Sequence, residues 1–192
     1  TSCGSEANNM AIKGTAFQYQ NRGKHIITTA IEHSSVYETC KELEKFFGFE
    51  VTYLGVDHKG RISLEELEKS IRDDTILVSI MYVNNEIGVI NPIDEIKKIV
   101  KKYDKVKLHF DMVQALGKMP IELTHVDLAS FSAHKIYGLK GSGVLYKKTS
   151  TSLVPLINGG QQEHQLRGGT SNTATHTMFA KTLRLALENL EQ

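Results

Sequence analysis

Residues 75–81 read TILVSIM. Apolar side chains occupy positions of both parities, so neither face of a strand built from this run is left for water. A strand apolar on both faces belongs to a sheet covered on both sides, the usual setting of parallel strands joined by helical crossovers. The flanking sequence has the same rhythm. Short β-branched or apolar runs at His25–Thr29, Val51–Leu54, Val106–Phe110, Val126–Phe131 and Ser142–Tyr146 read as further strands. Between them lie segments with helical spacing: 6–20, 35–47, 64–71, a helix opened by Pro92 with Ile93, Ile96, Ile99 and Val100 on its buried side, and 174–190. Ser63, with Glu66 three residues on, marks the start of the 64–71 helix. The expectation is one α/β domain with a mostly parallel (mixed) central sheet and helices on both faces.

Composition narrows the classes of function. The 192 residues carry 23 Lys plus Arg against 22 Asp plus Glu, a net charge of +1, and are 40% hydrophobic. That balance argues against a nucleic-acid or anionic-membrane surface, which needs a basic face. No apolar run approaches the ~20 residues that span a bilayer, and no N-terminal pattern reads as a signal peptide. Two cysteines, Cys3 and Cys40, form neither a disulfide framework nor a zinc site by themselves, so a reducing, cytoplasmic setting is expected.

In open α/β sheets, ligands bind beyond the carboxyl ends of the strands. Strand 75–81 runs into Val83-Asn84-Asn85-Glu86-Ile87-Gly88, strand 106–110 into Asp111 with Gln114 three residues on, and strand 126–131 into Ser132-Ala133-His134-Lys135. Glu32-His33 follows the first strand, and Cys3-Gly4-Ser5 opens the first helix. Each piece alone has an ordinary reading: a helix cap, a turn former or a solvated lysine. Together they are the parts that pyridoxal phosphate requires. Those parts are a lysine for a Schiff base, an acid against the pyridine nitrogen and a helix N-terminus for the phosphate. A metal-dependent hydrolase built on His109-x-Asp111 with His33 and His134 is a rival, weakened because no third ligand follows at a typical spacing. A non-catalytic cofactor-binding module is another.

The runs TSCGSEANN (1–9), HIITTAIEHSSV (25–36), TILVSIMYVNNEIG (75–88), HFDMVQALGK (109–118), SFSAHKIYGLKGSGVLY (130–146) and RGGTSN (167–172) resemble cysteine desulfurases of the NifS/IscS type. These are members of the class V aminotransferase group within the type I fold of pyridoxal-phosphate enzymes. The resemblance runs through essentially the whole chain in the family's order. It implies that Lys135 forms the Schiff base and carries protons, and that His33 stacks on the ring and helps move protons. It places Asp111 at the pyridine nitrogen, Gln114 at the phenolic oxygen, and Asn85, in preference to Asn84, at the ring oxygen or substrate. Gly4, Ser5, Ser132 and His134 would hold the phosphate, and Thr170 would reach the phosphate of a neighbouring subunit, making a homodimer part of the site. Cys3 and Ala133 stand where glycine is common, Leu139 where proline is common, Ser5 for a frequent threonine, and Met112 for a small residue. None of these removes a group the cofactor needs.

The implied reaction converts L-cysteine to L-alanine and leaves the sulfur on an enzyme cysteine as a persulfide. The sulfur then passes to an acceptor or scaffold protein, as in iron–sulfur cluster assembly. A selenocysteine lyase or another class V aminotransferase or lyase is the alternative. In the family the nucleophilic cysteine lies well beyond the lysine, and nothing after Lys135 is a cysteine. Cys40 reads as a buried small hydrophobe, and Cys3 as lying on the phosphate side of the cofactor. Arg167 reads as serving the loop or the dimer. The chain starts without methionine. Residues 1–192 are therefore expected to be the large cofactor-binding domain of a longer enzyme. That domain would lack the N-terminal segment and the C-terminal small domain, and would be inactive alone.

Overall fold

A computed structural model describes residues 1–190. Its elements are α1 (Gly4–Tyr19), β1 (His25–Thr29), α2 (Ser34–Phe47), β2 (Glu50–Leu54), α3 (Leu64–Ser70), β3 (Thr75–Met81), α4 (Ile93–Val100), β4 (Lys107–Asp111), β5 (Leu128–Ser132), β6 (Gly143–Lys147) and α5 (Thr173–Glu188), with a 3₁₀ turn at Ala133–Ile136. The six strands order as β2-β1-β3-β4-β5-β6. The first five are parallel and β6 runs antiparallel to β5. The mixed sheet expected from sequence is the one observed. Among the described residues no helix is long and apolar enough to cross a membrane.

All seven residues of β3 are buried, because each face of the sheet carries its own apolar layer. Consecutive strand residues point to opposite faces. Ile27, Val78, Ile80, Leu108, Phe110, Ala129 and Phe131 pack with Leu67 of α3, Ile93, Ile96 and Val100 of α4, and Phe179 of α5. Their neighbours Ile26 and Leu77 pack the other way, with Ile12 and Ala16 of α1 and Val36, Cys40 and Leu43 of α2. Leu128 meets Ala11 and Leu153 on that same side. Cys40 is wholly buried, and burial pushes its thiol far up, so it is a packed hydrophobe as expected.

Local signals act where the sequence places them. Ser63 Oγ accepts the Glu66 N–H at 3.2 Å and starts α3, and Gly48 ends α2 at φ 68°. Three strands begin one or two residues later than their apolar runs suggest. Val106 and Val126 complete turns instead, donating N–H to the carbonyls of Tyr103 and Leu123, and His125 sits at φ 62°. At their other ends Asp111 and Ser132 are the last residues of β4 and β5 rather than the first after them. Pro92 stands just before α4, without a side-chain cap.

From β1 the sheet extends to β2 on one side and to β3 on the other. The connections leaving β1 and β3 therefore diverge and open a crevice above the strand ends. On the α1 side, below that crevice, the sheet carries a polar row. His109 bonds Ser79 Oγ through Nδ1 (2.8 Å) and Ser130 Oγ through Nε2 (2.9 Å). Burial lowers its pKa to about 3, so the ring is neutral.

Candidate functional site

The crevice is a cleft of about 300 Å³. Nine of the ten residues proposed from sequence line it: Gly4, Ser5, His33, Asn85, Asp111, Gln114, Ser132, His134 and Lys135. Thr170 does not; it is exposed in the segment before α5. A larger hollow of about 630 Å³ lies between β6 and α5, but its walls are mainly aliphatic and aromatic and gather no comparable set of groups.

Asp111 arrives at the cleft because the alternation of β4 sends Leu108 and Phe110 into one core and leaves His109 and Asp111 beneath α1. It is 6% exposed. Its Oδ1 accepts the Val113 N–H (3.0 Å) and its Oδ2 accepts from Asn8 Nδ2 (2.7 Å). Burial pushes the carboxyl upward, and these two bonds and the nearby His33 oppose that shift. A cation seated against Asp111 would favour the ionised form further.

From the end of β5 the chain enters the 3₁₀ turn that carries His134 and Lys135. Tyr137 ends the turn at φ 65°. Gly138 follows where an added Cβ would lie 2.8 Å from the Ala133 carbonyl oxygen, so the chain can double back only with glycine there. Lys135 stands exposed on the cleft wall. Ser132 Oγ and His134 Nδ1 are 2.9 Å apart. Partial burial, then the ammonium groups of Lys135 and Lys140, hold the His134 ring below the usual histidine range.

The first turn of α1 closes the cleft. Gly4 lets that turn lie against the sheet, for an added Cβ would come 3.0 Å from Val113 Cγ2 and 3.4 Å from Ser132 Cβ. The Gly4 and Ser5 N–H groups find no acceptor among the described residues, as expected at a helix start. Cys3 Sγ accepts the Glu6 N–H at 3.5 Å and is half-buried at the same end. Arg167 lies outside the cleft and pairs with Glu6 (Nε–Oε1 3.0 Å), tying the 157–169 segment to α1. Burial works to raise the Glu6 carboxyl, but hydrogen bonds from Arg167 and Ser2 bring it down to about 2.

After β3 the two asparagines divide their roles. Asn84 is buried; its Oδ1 accepts the N–H groups of Glu86 (2.9 Å) and Ile87 (3.0 Å), and Nδ2 donates to the Ile31 carbonyl. It latches the turn. Asn85 is on the cleft rim, exposed, with Nδ2 on Glu86 Oε1. His33 caps α2 through Nδ1, which accepts the Ser35 N–H at 3.1 Å. The metal-hydrolase arrangement is not assembled: both His109 ring nitrogens are held by serines, and no group of three His, Cys, Asp or Glu among the described residues is placed to hold a metal.

Asn8 escaped sequence reasoning, and Glu32, named at its strand end beside His33, was given no role of its own. Asn8 lies four residues beyond Gly4 on α1, the same helix face, and that spacing was the available signal. Glu32 Oε1 accepts from Thr29 Oγ1 (2.7 Å) and the Met81 N–H (2.9 Å), joining the ends of β1 and β3, while Oε2 is enclosed without a partner. Burial raises its pKa to about 8, against those two bonds and with help from Asp111. The unfolded carboxyl ionises near its ordinary value of 4.5, so stability falls as pH rises from there to about 8 and stays level above. Glu32→Gln keeps the acceptor and removes this loss. It is expected to gain about 1–3 kcal/mol over wild type at pH 8.5 and little at pH 5, read by thermal unfolding. A difference that does not change with pH would contradict the assignment.

The chain is 50% identical over 194 residues to the cysteine desulfurase IscS of Dictyoglomus turgidum, covering 100% of this chain and 49% of that protein. It superposes on a structure of a NifS-like protein with a TM-score of 0.96 at 45% identity, covering 100% of this chain and 53% of the other. A structure of SspA in complex with cysteine aligns with a TM-score of 0.89 at 42% identity, over 98% of this chain and 54% of that one. The chain spans about half the length of the curated relatives it matches. The family model described as aminotransferase class-V matches residues 1–191, and the chain belongs to the class-V aminotransferase family.

Proposed function

We propose that these residues form the pyridoxal-phosphate-binding domain of a cysteine desulfurase, acting on L-cysteine to give L-alanine and an enzyme-bound persulfide. The observation that carries this is the convergence, in one cleft, of a lysine, a buried acid and a helix N-terminus with free N–H groups. The family uses pyridoxal phosphate, and the cleft suits that group. Gly4 and Ser5, with Ser132 and His134, would hold the phosphate dianion at the positive end of α1. Asp111 would pair with the protonated ring nitrogen, Gln114 and Asn85 would serve the ring oxygen, and His33 the ring face. Lys135 would hold the cofactor covalently through Nζ. When bound, the cofactor supplies an electron sink for the bond broken at the substrate's α-carbon.

This chain's residues provide the surrounding acid–base chemistry. Asp111, enclosed and acceptor-bonded, stabilises positive charge at one fixed point. Lys135, on a short turn at the mouth, takes and returns protons once its Nζ is released. His33 carries a further exchangeable proton on its ring. Neither cysteine suits sulfur transfer: Cys40 is wholly buried and Cys3 caps α1 at the phosphate end. The sulfur-accepting cysteine is therefore proposed to lie outside these residues, as are the sulfur-acceptor or scaffold protein and the homodimer mate whose cleft Thr170 would serve. Two free thiols and no disulfide among the described residues fit a reducing cytoplasm.

The test is product analysis with the full-length protein. L-cysteine should yield alanine, with sulfide released on adding a thiol, while residues 1–192 alone should form no persulfide. Pyruvate and ammonia in place of alanine, or robust persulfide formation by the isolated chain, would overturn the reading.

A further inference from the structure

Asn8 is 1% exposed, on the face of α1 toward the cleft. Its amide nitrogen carries two protons, and both are placed. One goes to Asp111 Oδ2 at 2.7 Å and the other to Ser35 Oγ at 2.9 Å. Ser35 Oγ lies 2.8 Å from His33 Nδ1. Since the hydroxyl oxygen accepts from Asn8, its own proton is available to His33 Nδ1, which also accepts the Ser35 backbone N–H at 3.1 Å. A backbone N–H only donates. The Ser35 hydroxyl and backbone N–H together hold Nδ1 unprotonated, so the neutral ring carries its proton on Nε2, and losing the hydroxyl leaves only the longer of the two bonds.

The amide works only one way round. Turned over, its oxygen would face the Asp111 carboxylate, acceptor against acceptor. In the observed orientation Asn8 Oδ1 is enclosed with no partner, a cost accepted so that both donors can be used. Resting on the cofactor reading above, we propose that Asn8 is a positioning residue. Through one amide it holds Asp111 as an acceptor and, by way of Ser35, holds His33 in its Nε2–H tautomer. The group meeting the ring nitrogen and the group over the ring face are thereby fixed together. Asp111 in turn raises the buried Glu32 carboxyl, which stands just beyond β1 and makes no bond to this chain of partners.

The test uses nitrogen NMR of the His33 ring and a carboxyl-carbon titration of Asp111, both in protein freed of cofactor, so neither readout depends on turnover. In Asn8→Ala, the Nδ1–H form of His33 should rise about fivefold and the Asp111 midpoint should move up by about one pH unit. Pyridoxal phosphate, titrated separately, should bind about tenfold more weakly. In Ser35→Ala, His33 should change in the same way while Asp111 keeps its wild-type midpoint, because the Asn8–Asp111 bond survives. An unmoved Asp111 in Asn8→Ala, or an unmoved His33 in Ser35→Ala, would overturn the proposal. If Asn8→Ala does not fold, Ser35→Ala, which leaves the buried amide in place, decides. A wild-type protein that binds no pyridoxal phosphate would refute the cofactor reading and leave the His33 and Asp111 measurements standing.

Discussion

Lys135→Ala should abolish the visible absorbance that wild-type protein develops with pyridoxal phosphate, and lower L-cysteine turnover by at least about 10⁴-fold. The size of the effect follows from position. Lys135 sits on a 3₁₀ turn whose geometry is set by Ala133, Tyr137 and Gly138, directly after a strand in the core. Lys118, by contrast, does not line the cleft; its ammonium donates to Gln114 Oε1. Removing the exposed Lys135 side chain leaves the fold intact, so thermal unfolding should stay within about 1 kcal/mol of wild type. Retained absorbance in Lys135→Ala would place the covalent link on another residue.

Asp111→Asn should reduce turnover by about 10²–10³-fold and weaken cofactor affinity. The amide is isosteric, so the volume beneath α1 is unchanged, but its single oxygen can accept from Asn8 or from the Val113 N–H and not from both. What disappears is the negative charge, held at one place by the Val113 N–H and the Asn8 amide. Without it nothing at the floor of the cleft favours a protonated ring nitrogen. Steady-state kinetics with L-cysteine and an equilibrium cofactor titration measure the two effects separately. Turnover within threefold of wild type would remove Asp111 from its assigned role.

Much of this architecture was legible in the chain because burial writes a pattern. TILVSIM declares a strand covered on both faces, and Ile26-Ile27 and Leu128-Ala129 divide between two cores as alternation requires. The candidate residues that line the cleft were legible because strand ends converge in a parallel sheet, a rule needing no distances, while Thr170, named only through the resemblance, lies outside it. What escaped depended on distances between remote segments. Asn8 meets Asp111 across 103 positions, and nothing in EANN marks it as more than a helix start. His109 resembled a metal ligand until the fold brought Ser79 and Ser130 from neighbouring strands to both its nitrogens. Glu32 was named at its strand end without a role; its enclosure between the ends of β1 and β3 is a tertiary fact. For Arg167 the sequence leaves the loop and the dimer both open, and its partner Glu6 lies 161 residues away.

The central claim is that this cleft holds pyridoxal phosphate through Lys135. Adding the cofactor, reducing with borohydride and mapping the labelled peptides by mass tests it most directly. The expected result is one pyridoxyl group per chain, on Lys135. Label scattered over surface lysines, or concentrated on a different one, would contradict it.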